Sequence, residues 1–357
     1  MTLPSHGANP LYLYETLNLK VPEEIIDFSE NSIPTGPPTR LKEQWDHWYN
    51  AISTYPDPEG RDLKKLIAGK HQVSESQVLL GNGASELMMT VLRKFQGKTV
   101  GVIHPAFSEY ERVIKANGAL THHIYTNEAM DFHPDDQDIQ PFLSTPERAL
   151  FICNPNNPTG IRLERETLIA WLETAEQSGS TLLLDEAFID MAGEEHSLAD
   201  YVGNPSLIIF RSMTKMYSIA GLRLGYLLGD EETVKEISQW LPHWNVNQLA
   251  LLAGETVLQD QLYTDEVRSF IREERSRLTD ALNDLGFKVS DSAANYVCIQ
   301  PPDPQQTETL WHFLLREGLV LRHTYNYRGL DGTWLRVGLK CPEQNQKLIE
   351  AITLWAQ

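Results

Sequence analysis

A lysine becomes a nucleophile towards an aldehyde when its ammonium is stripped of water, and Lys215 sits where that can happen. It belongs to Ser212-Met-Thr-Lys215, a turn of small and polar residues directly after the apolar run Leu207 to Ser212. Ser212 and Arg223 flank it with a hydroxyl and a cation suited to a phosphate ester. Three patterns precede it. Gly81-Asn-Gly-Ala-Ser-Glu86 follows an apolar run and opens a helical one, where free amides attract phosphate; with no Gly-Lys-Ser/Thr it is not a Walker loop. Asn154-Pro-Asn-Asn-Pro-Thr-Gly160 fixes an unusual turn in which the Asn157 amide can face a ligand. Asp185-Glu-Ala-Phe188 ends the apolar run from Leu182, and a carboxylate there is costly without a partner. A protonated pyridine nitrogen would be such a partner, although an N-cap also explains Asp185 taken alone.

Each pattern stands where a strand should end. Val78–Gly81, 99–103, 120–125, 149–153, 181–185, 207–212 and 222–228 read as strands, with helices such as 165–177 between them. That alternation predicts a mainly parallel sheet with helices on both faces, whose ligands collect at the carboxyl ends of the strands. After residue 246 the pattern changes to long helices over 247–260 and 263–285, then strands near 295–300, 319–323 and 333–339, and a last helix from Pro342. The predicted organisation is an arm over 1–40, a large domain over 41–245 and a small C-terminal α+β domain over 246–357. The arm, with its Pro- and Gly-rich stretch Ser29 to Pro38, reads as an extended segment packed over the rest.

Composition excludes several roles. The 30 Lys and Arg against 49 Asp and Glu give a net charge of −19, which argues against nucleic acid and anionic membrane as partners. An anionic substrate must therefore be drawn in by local arginines and amides. No apolar run reaches about 18 residues, and the opening lacks a signal-peptide pattern. The 3 cysteines, Cys153, Cys298 and Cys341, form neither a disulfide framework nor a metal spacing, so a cytoplasmic location is expected. His122 and His123 have no acidic or cysteine pair at ligand spacing and read as exposed strand-end residues; no metal is expected. Trp45, Trp240 and Trp244 fit a buried interface or core.

The order Gly-Asn-Gly, NPNNPTG, Asp-Glu-Ala-aromatic, Ser-x-x-Lys and Gly-Leu-Arg-x-Gly-Tyr resembles the fold-type-I pyridoxal-phosphate enzymes over most of the chain. The resemblance implies an α/β fold and pyridoxal 5'-phosphate as cofactor, carried by Lys215 as a Schiff base. It implies that Asp185 pairs with the pyridinium nitrogen and Asn157 with the ring hydroxyl. Ala84, Ser85, Ser212 and Arg223 would hold the cofactor phosphate, and Phe107 would stack on the ring. Tyr55, in Thr-Tyr-Pro-Asp-Pro, would reach the cofactor phosphate of a second subunit, which implies a homodimer.

Two branches of that group compete. Ser5-His-Gly-Ala-Asn9, Asp27-Phe-Ser-Glu-Asn31, Phe188 and the stretches Arg322–Asp331 and Trp334–Gly338 resemble the threonine-phosphate decarboxylases of the cobalamin pathway. Phe188 stands where the histidinol-phosphate aminotransferases usually have tyrosine; it removes a hydrogen-bond donor to the ring oxygen, and core packing explains it as well. Ala8, Ser32 and Lys340 depart from the decarboxylase pattern, Lys340 replacing an arginine and losing its bidentate fork. The expected reaction is decarboxylation of L-threonine O-3-phosphate to (R)-1-aminopropan-2-yl phosphate, with transamination of histidinol-phosphate type as the alternative. Arg336 and Asn157 would bind the substrate, and Arg322, His6 and Asn31 its phosphate.

Overall fold

The computed structural model describes Leu3, Pro4 and residues 6–357; Ser5 of the opening motif lies outside the described residues. Its strands in chain order are β1 (Ile26–Asp27), β2 (Val78–Gly81), β3 (Thr99–His104), β4 (Leu120–Tyr125), β5 (Ala149–Cys153), β6 (Thr181–Asp185) and β7 (Leu207–Ser212). Then come β8 (Gly225–Gly229), β9 (Lys288–Val289), β10 (Tyr296–Gln300), β11 (Leu319–Val320), β12 (Arg322–His323) and β13 (Leu335–Gly338).

Seven of these form one sheet in the order β2-β8-β7-β6-β5-β3-β4. β4, β3, β5, β6 and β7 run parallel, while β8 is antiparallel to both β7 and β2. The alternation of side chains explains why the strands read as continuous apolar runs. Leu150, Leu184 and Ile209 enter one buried cluster and Phe151, Leu183 and Phe210 the other, so the sheet is covered on both faces.

This topology sends the functional loops to one edge. β2 reversed against β8, and β8 against β7, leaves β2 pointing the same way as the parallel strands. Gly81 and Ser212 accordingly both pair with Gly225 at the start of β8. The segments after β2, β3, β5, β6 and β7 and the one before β8 therefore meet on one side. Gly225 has to be a glycine: a Cβ there would lie 2.6 Å from the Ala84 amide nitrogen.

β12, β13, β10 and β9 form a separate antiparallel sheet. The N-terminal segment is fastened beside it: β1 pairs with β11, the Gly338 amide donates to the Phe28 carbonyl at 2.8 Å, and Asn295 Nδ2 donates to the Asn31 carbonyl at 2.8 Å. That segment is less extended than the sequence reading expects. Pro10–Thr16 is a helix, with Pro10 at its opening position and the Asn9 side chain accepting from the Tyr12 amide, and a second helix, Thr39–Trp48, begins where the arm was expected to end. Trp45 and Trp244 lie on the surface of the single chain rather than in a core, and no described helix is long and apolar enough to cross a membrane.

Candidate active site

At the edge where the loops meet is a cavity of about 280 Å³. Its lining contains His6, Asn31, Ala84, Ser85, Phe107, Asn157, Asp185, Ser212, Lys215, Arg223, Arg322 and Arg336. The structure thus brings together every residue that the sequence assigns to the cofactor or substrate except one. Tyr55 lies outside this lining, 82% exposed, with its ring 4.9 Å from that of Trp244.

Lys215 is in the short helix Met213–Met216, which starts as soon as β7 ends. Burial, then Arg336 and Arg223, pushes its pKa down to about 8. Loss of water penalises an ammonium, and the two guanidiniums add like-charge repulsion. Asp185, the last residue of β6, is displaced the other way, to about 6, by burial. Its Oδ2 accepts from the Tyr110 hydroxyl at 2.6 Å and its Oδ1 from the Ala187 amide at 3.0 Å. Those two hydrogen bonds and the charge of Lys215 act against the burial and favour the ionised carboxylate.

One part of the cavity combines backbone at a helix start with a guanidinium and hydroxyls. Gly83 has φ +78°, and a Cβ on it would come within 2.7 Å of an Arg223 guanidinium nitrogen. Only a glycine lets Arg223 lie along the start of the helix Ala84–Val91, beside its free amides. Ser212 and Thr214 add hydroxyls 2.8 Å apart. An anion fits this donor set.

Facing it are two buried arginines. Arg336, on β13, donates to Asn157 Oδ1 at 2.6 Å and to the Ser29 carbonyl at 2.7 Å. Its Nε, like Asn31 Oδ1, is buried without a hydrogen-bond partner among the described residues. Arg322, on β12, donates to Asn326 Oδ1 at 2.7 Å and to His323 Nε2 at 2.8 Å, and lies 5.4 Å from the Tyr327 ring centre. His6 is the exposed member: its Nε2 is 3.1 Å from Glu109 and its ring 5.8 Å from that of Phe107. Lys340 stands off the lining and pairs at 3.1 Å with Glu30, which is on it.

Three participants escape a reading of the sequence. Tyr110 holds Asp185, and the signal for it was present, since Phe107 and Tyr110 are one helical turn apart in Phe-Ser-Glu-Tyr. Tyr327 lines the cavity and donates to Asn157 Oδ1 at 3.4 Å. Glu30 carried no local signal. Phe188 combines the two roles weighed for it: it lines the cavity, and its ring packs edge-on at 5.0 Å against Tyr296 in the core.

Residues 23–352 match the family of class I and II aminotransferases. The chain belongs to that family. The threonine-phosphate decarboxylase of Salmonella typhimurium is 33% identical over 98% of this chain and 95% of its own length. The adenosylcobalamin biosynthesis bifunctional protein CobDQ of Leptospira interrogans is 31% identical over 99% of this chain, which spans only 41% of that protein. Among solved structures, the histidinol-phosphate aminotransferase of Clostridium acetobutylicum superposes with a TM-score of 0.86 at 30% identity, covering 92% of this chain and 98% of that one. As a member of the family the protein is a pyridoxal-phosphate-dependent enzyme of the α/β class, and the site fits that cofactor. A lysine of lowered pKa, a lone buried aspartate and a glycine-opened anion cradle meet in one cavity.

Proposed function

We propose that the protein decarboxylates L-threonine O-3-phosphate to (R)-1-aminopropan-2-yl phosphate and CO2, in cobalamin biosynthesis, as a cytoplasmic homodimer. The observation that carries this reading is the pair of buried arginines, Arg322 and Arg336, lining the same cavity as Lys215. One cation suits a carboxylate and the other a phosphate, which a doubly anionic amino acid needs in a protein of net charge −19.

When bound, pyridoxal phosphate supplies an electron sink for the pair left behind as the bond to the carboxyl carbon breaks. The other tasks belong to the chain. Asp185 would keep the ring nitrogen protonated, Asn157 would pair with the ring hydroxyl, and Phe107 would stack on the ring. Ala84, Ser85, Ser212 and Arg223 would hold the cofactor phosphate. Arg336, fixed by Asn157 and the Ser29 carbonyl, sets the direction of the acid group. Arg322, Asn31 and His6 take the substrate phosphate, with Glu109 holding His6 in place. Lys215, as an ammonium, returns a proton to the carbon that has lost CO2. We assign cofactor binding to residues 41–245, with 246–357 and the arm over 1–40 contributing the substrate contacts.

Release of CO2 and formation of keto acid, measured side by side with threonine phosphate, test the reading. A site whose buried groups are built for a phosphate rejects an analogue lacking it by roughly 10⁴-fold. Free threonine should therefore turn over at least that much more slowly, Arg322→Ala should erode the preference, and Arg336→Ala should impair every amino acid. Keto-acid formation dependent on 2-oxoglutarate as the main outcome would overturn the decarboxylase reading in favour of a histidinol-phosphate-type aminotransferase.

A further inference from the structure

His123, set aside in the sequence as an exposed strand-end residue, is brought beside His104 and Glu111 by the consecutive strand, helix and strand that carry the three. It lies on β4, the edge strand, opposite Val102 of β3, two residues before His104. Its Nδ1 is 2.9 Å from His104 Nε2, and the same His104 nitrogen is 3.8 Å from Glu111 Oε1. All three ligand atoms fall within 4.8 Å of one another. His104 is buried and the other two are half-buried.

We propose that His104, His123 and Glu111 form a site for a divalent transition-metal cation of the zinc class, occupied in competition with the ion pair between Glu111 and Arg328. Two imidazole nitrogens and a carboxylate oxygen are a donor set that borderline cations prefer, with a fourth position left for water. Bonds of about 2.0–2.1 Å in a tetrahedron put donor atoms ~3.3 Å apart. The two nitrogens must separate by ~0.4 Å, and the Glu111 oxygen must approach His104 by ~0.5 Å and the His123 nitrogen, which lies within 4.8 Å of it, by at most ~1.5 Å, which side-chain rotation supplies. The backbone beneath is firm, since β3 and β4 are paired along their whole length and Glu111 is within the helix Glu109–Ala116. His104 Nδ1 is buried without a partner among the described residues, so no second-shell acceptor orients the ring. Occupation is accordingly reversible rather than structural.

Competition follows from geometry. Arg328 donates to Glu111 Oε1 at 2.8 Å and Oε2 at 3.1 Å, so the oxygen nearest His104 already serves the arginine. A cation drawing on that oxygen weakens the Arg328 pair. Arg328 follows Tyr327, which lines the cavity and donates to Asn157. On the reading given under Proposed function, filling the site loosens the segment that borders the substrate and lowers turnover.

The untagged holoenzyme titrated with Co2+ should show ligand-field absorption bands that saturate at one equivalent. His123→Ala should weaken that binding at least ~10-fold, Glu111→Gln likewise, and Arg328→Gln should strengthen it several-fold. Zn2+ should lower wild-type turnover and leave His123→Ala insensitive. No saturable band, or equal binding by the wild type and His123→Ala, overturns the site; unchanged affinity in Arg328→Gln overturns the competition. Equal inhibition of both proteins by Zn2+ would overturn the link to turnover. The Co2+ bands do not depend on substrate, so a failure here is distinct from a failure of the decarboxylase reading.

Discussion

At the scale of single residues the site rests on two ionisable groups displaced in opposite directions. Lys215 in the unfolded chain titrates at 10.5 and in the folded chain at about 8. Between those values the unfolded chain holds the extra proton. The buried ammonium therefore costs stability below pH 8, and the cost is relieved as pH rises towards 10.5. The same displacement makes the amine available to an aldehyde under mild conditions. The rate at which cofactor-free protein captures pyridoxal phosphate should rise with pH through a midpoint of about 8, followed by absorbance and by borohydride trapping on Lys215. Arg336→Ala removes one of the two repelling guanidiniums and should move that midpoint upward. A midpoint unchanged in Arg336→Ala, or borohydride trapping that persists in Lys215→Ala, would refute this account of the amine.

At the scale of elements, the problem is to hold the ends of β6 and β7 in register, because Asp185 ends one and Lys215 follows the other. The solution is a buried charge cluster directly behind the site. Arg211, fully buried, reaches Glu186 at 3.2 Å, Asp190 at 3.0 Å and Glu194 at 2.5 Å, and Lys70 reaches Asp190 and Glu194 at 2.8 Å each. Glu186 follows Asp185 and its amide donates to the Phe210 carbonyl at 2.9 Å, so the cluster pins the two strand ends. Breaking a buried ion pair from one side leaves charge uncompensated at a cost of ~3–5 kcal/mol. Arg211→Met should lower the melting temperature accordingly and weaken cofactor retention, while Lys70→Met, at the partly exposed rim, should do less. Equal melting temperatures for Arg211→Met and the wild type would remove the cluster from the argument. The sequence showed only that the acid pair Asp185-Glu186 at a strand end needs a partner; it did not name Arg211 as that partner, nor Asp190, Glu194 and Lys70 as the rest of the cluster. The strands themselves were legible because burial on both faces makes them continuous apolar runs. The loops between them were legible because Gly, Pro and Asn are confined to special backbone geometry. Lys70 and Tyr327 were not, since their roles come from contacts far along the chain, which a local pattern does not record; for Tyr110 the one-turn spacing from Phe107 was there to be read, but not its partner Asp185. The helix Pro10–Thr16 was missed although Asn9 and Pro10 announce its start, because its 7 residues are too few for the apolar period to emerge.

At the scale of the whole molecule, the segment that leads to Tyr55 leaves large apolar side chains in water. Trp45, Tyr49, Ile52, Tyr55 and Trp244 are all more than 45% exposed, and the first three belong to one continuous helical segment over 39–53. Large aromatic side chains left in water are a feature of association surfaces. Tyr55 adds a reason for a second copy in particular. It is the one residue expected at the cofactor that its own chain does not bring to the cavity, and a twofold interface would let it serve the neighbouring site. We propose that it does. Mixing Tyr55→Phe chains with Lys215→Ala chains then creates hybrid dimers in which one site carries both defects and the other carries neither. Subunit exchange should raise turnover above the sum of the two parents, to about a quarter of the wild type when exchange is random. If Tyr55 serves its own chain, each hybrid site keeps one defect and mixing changes nothing; that result, obtained after exchange has been verified by native mass spectrometry, would end the shared-site proposal.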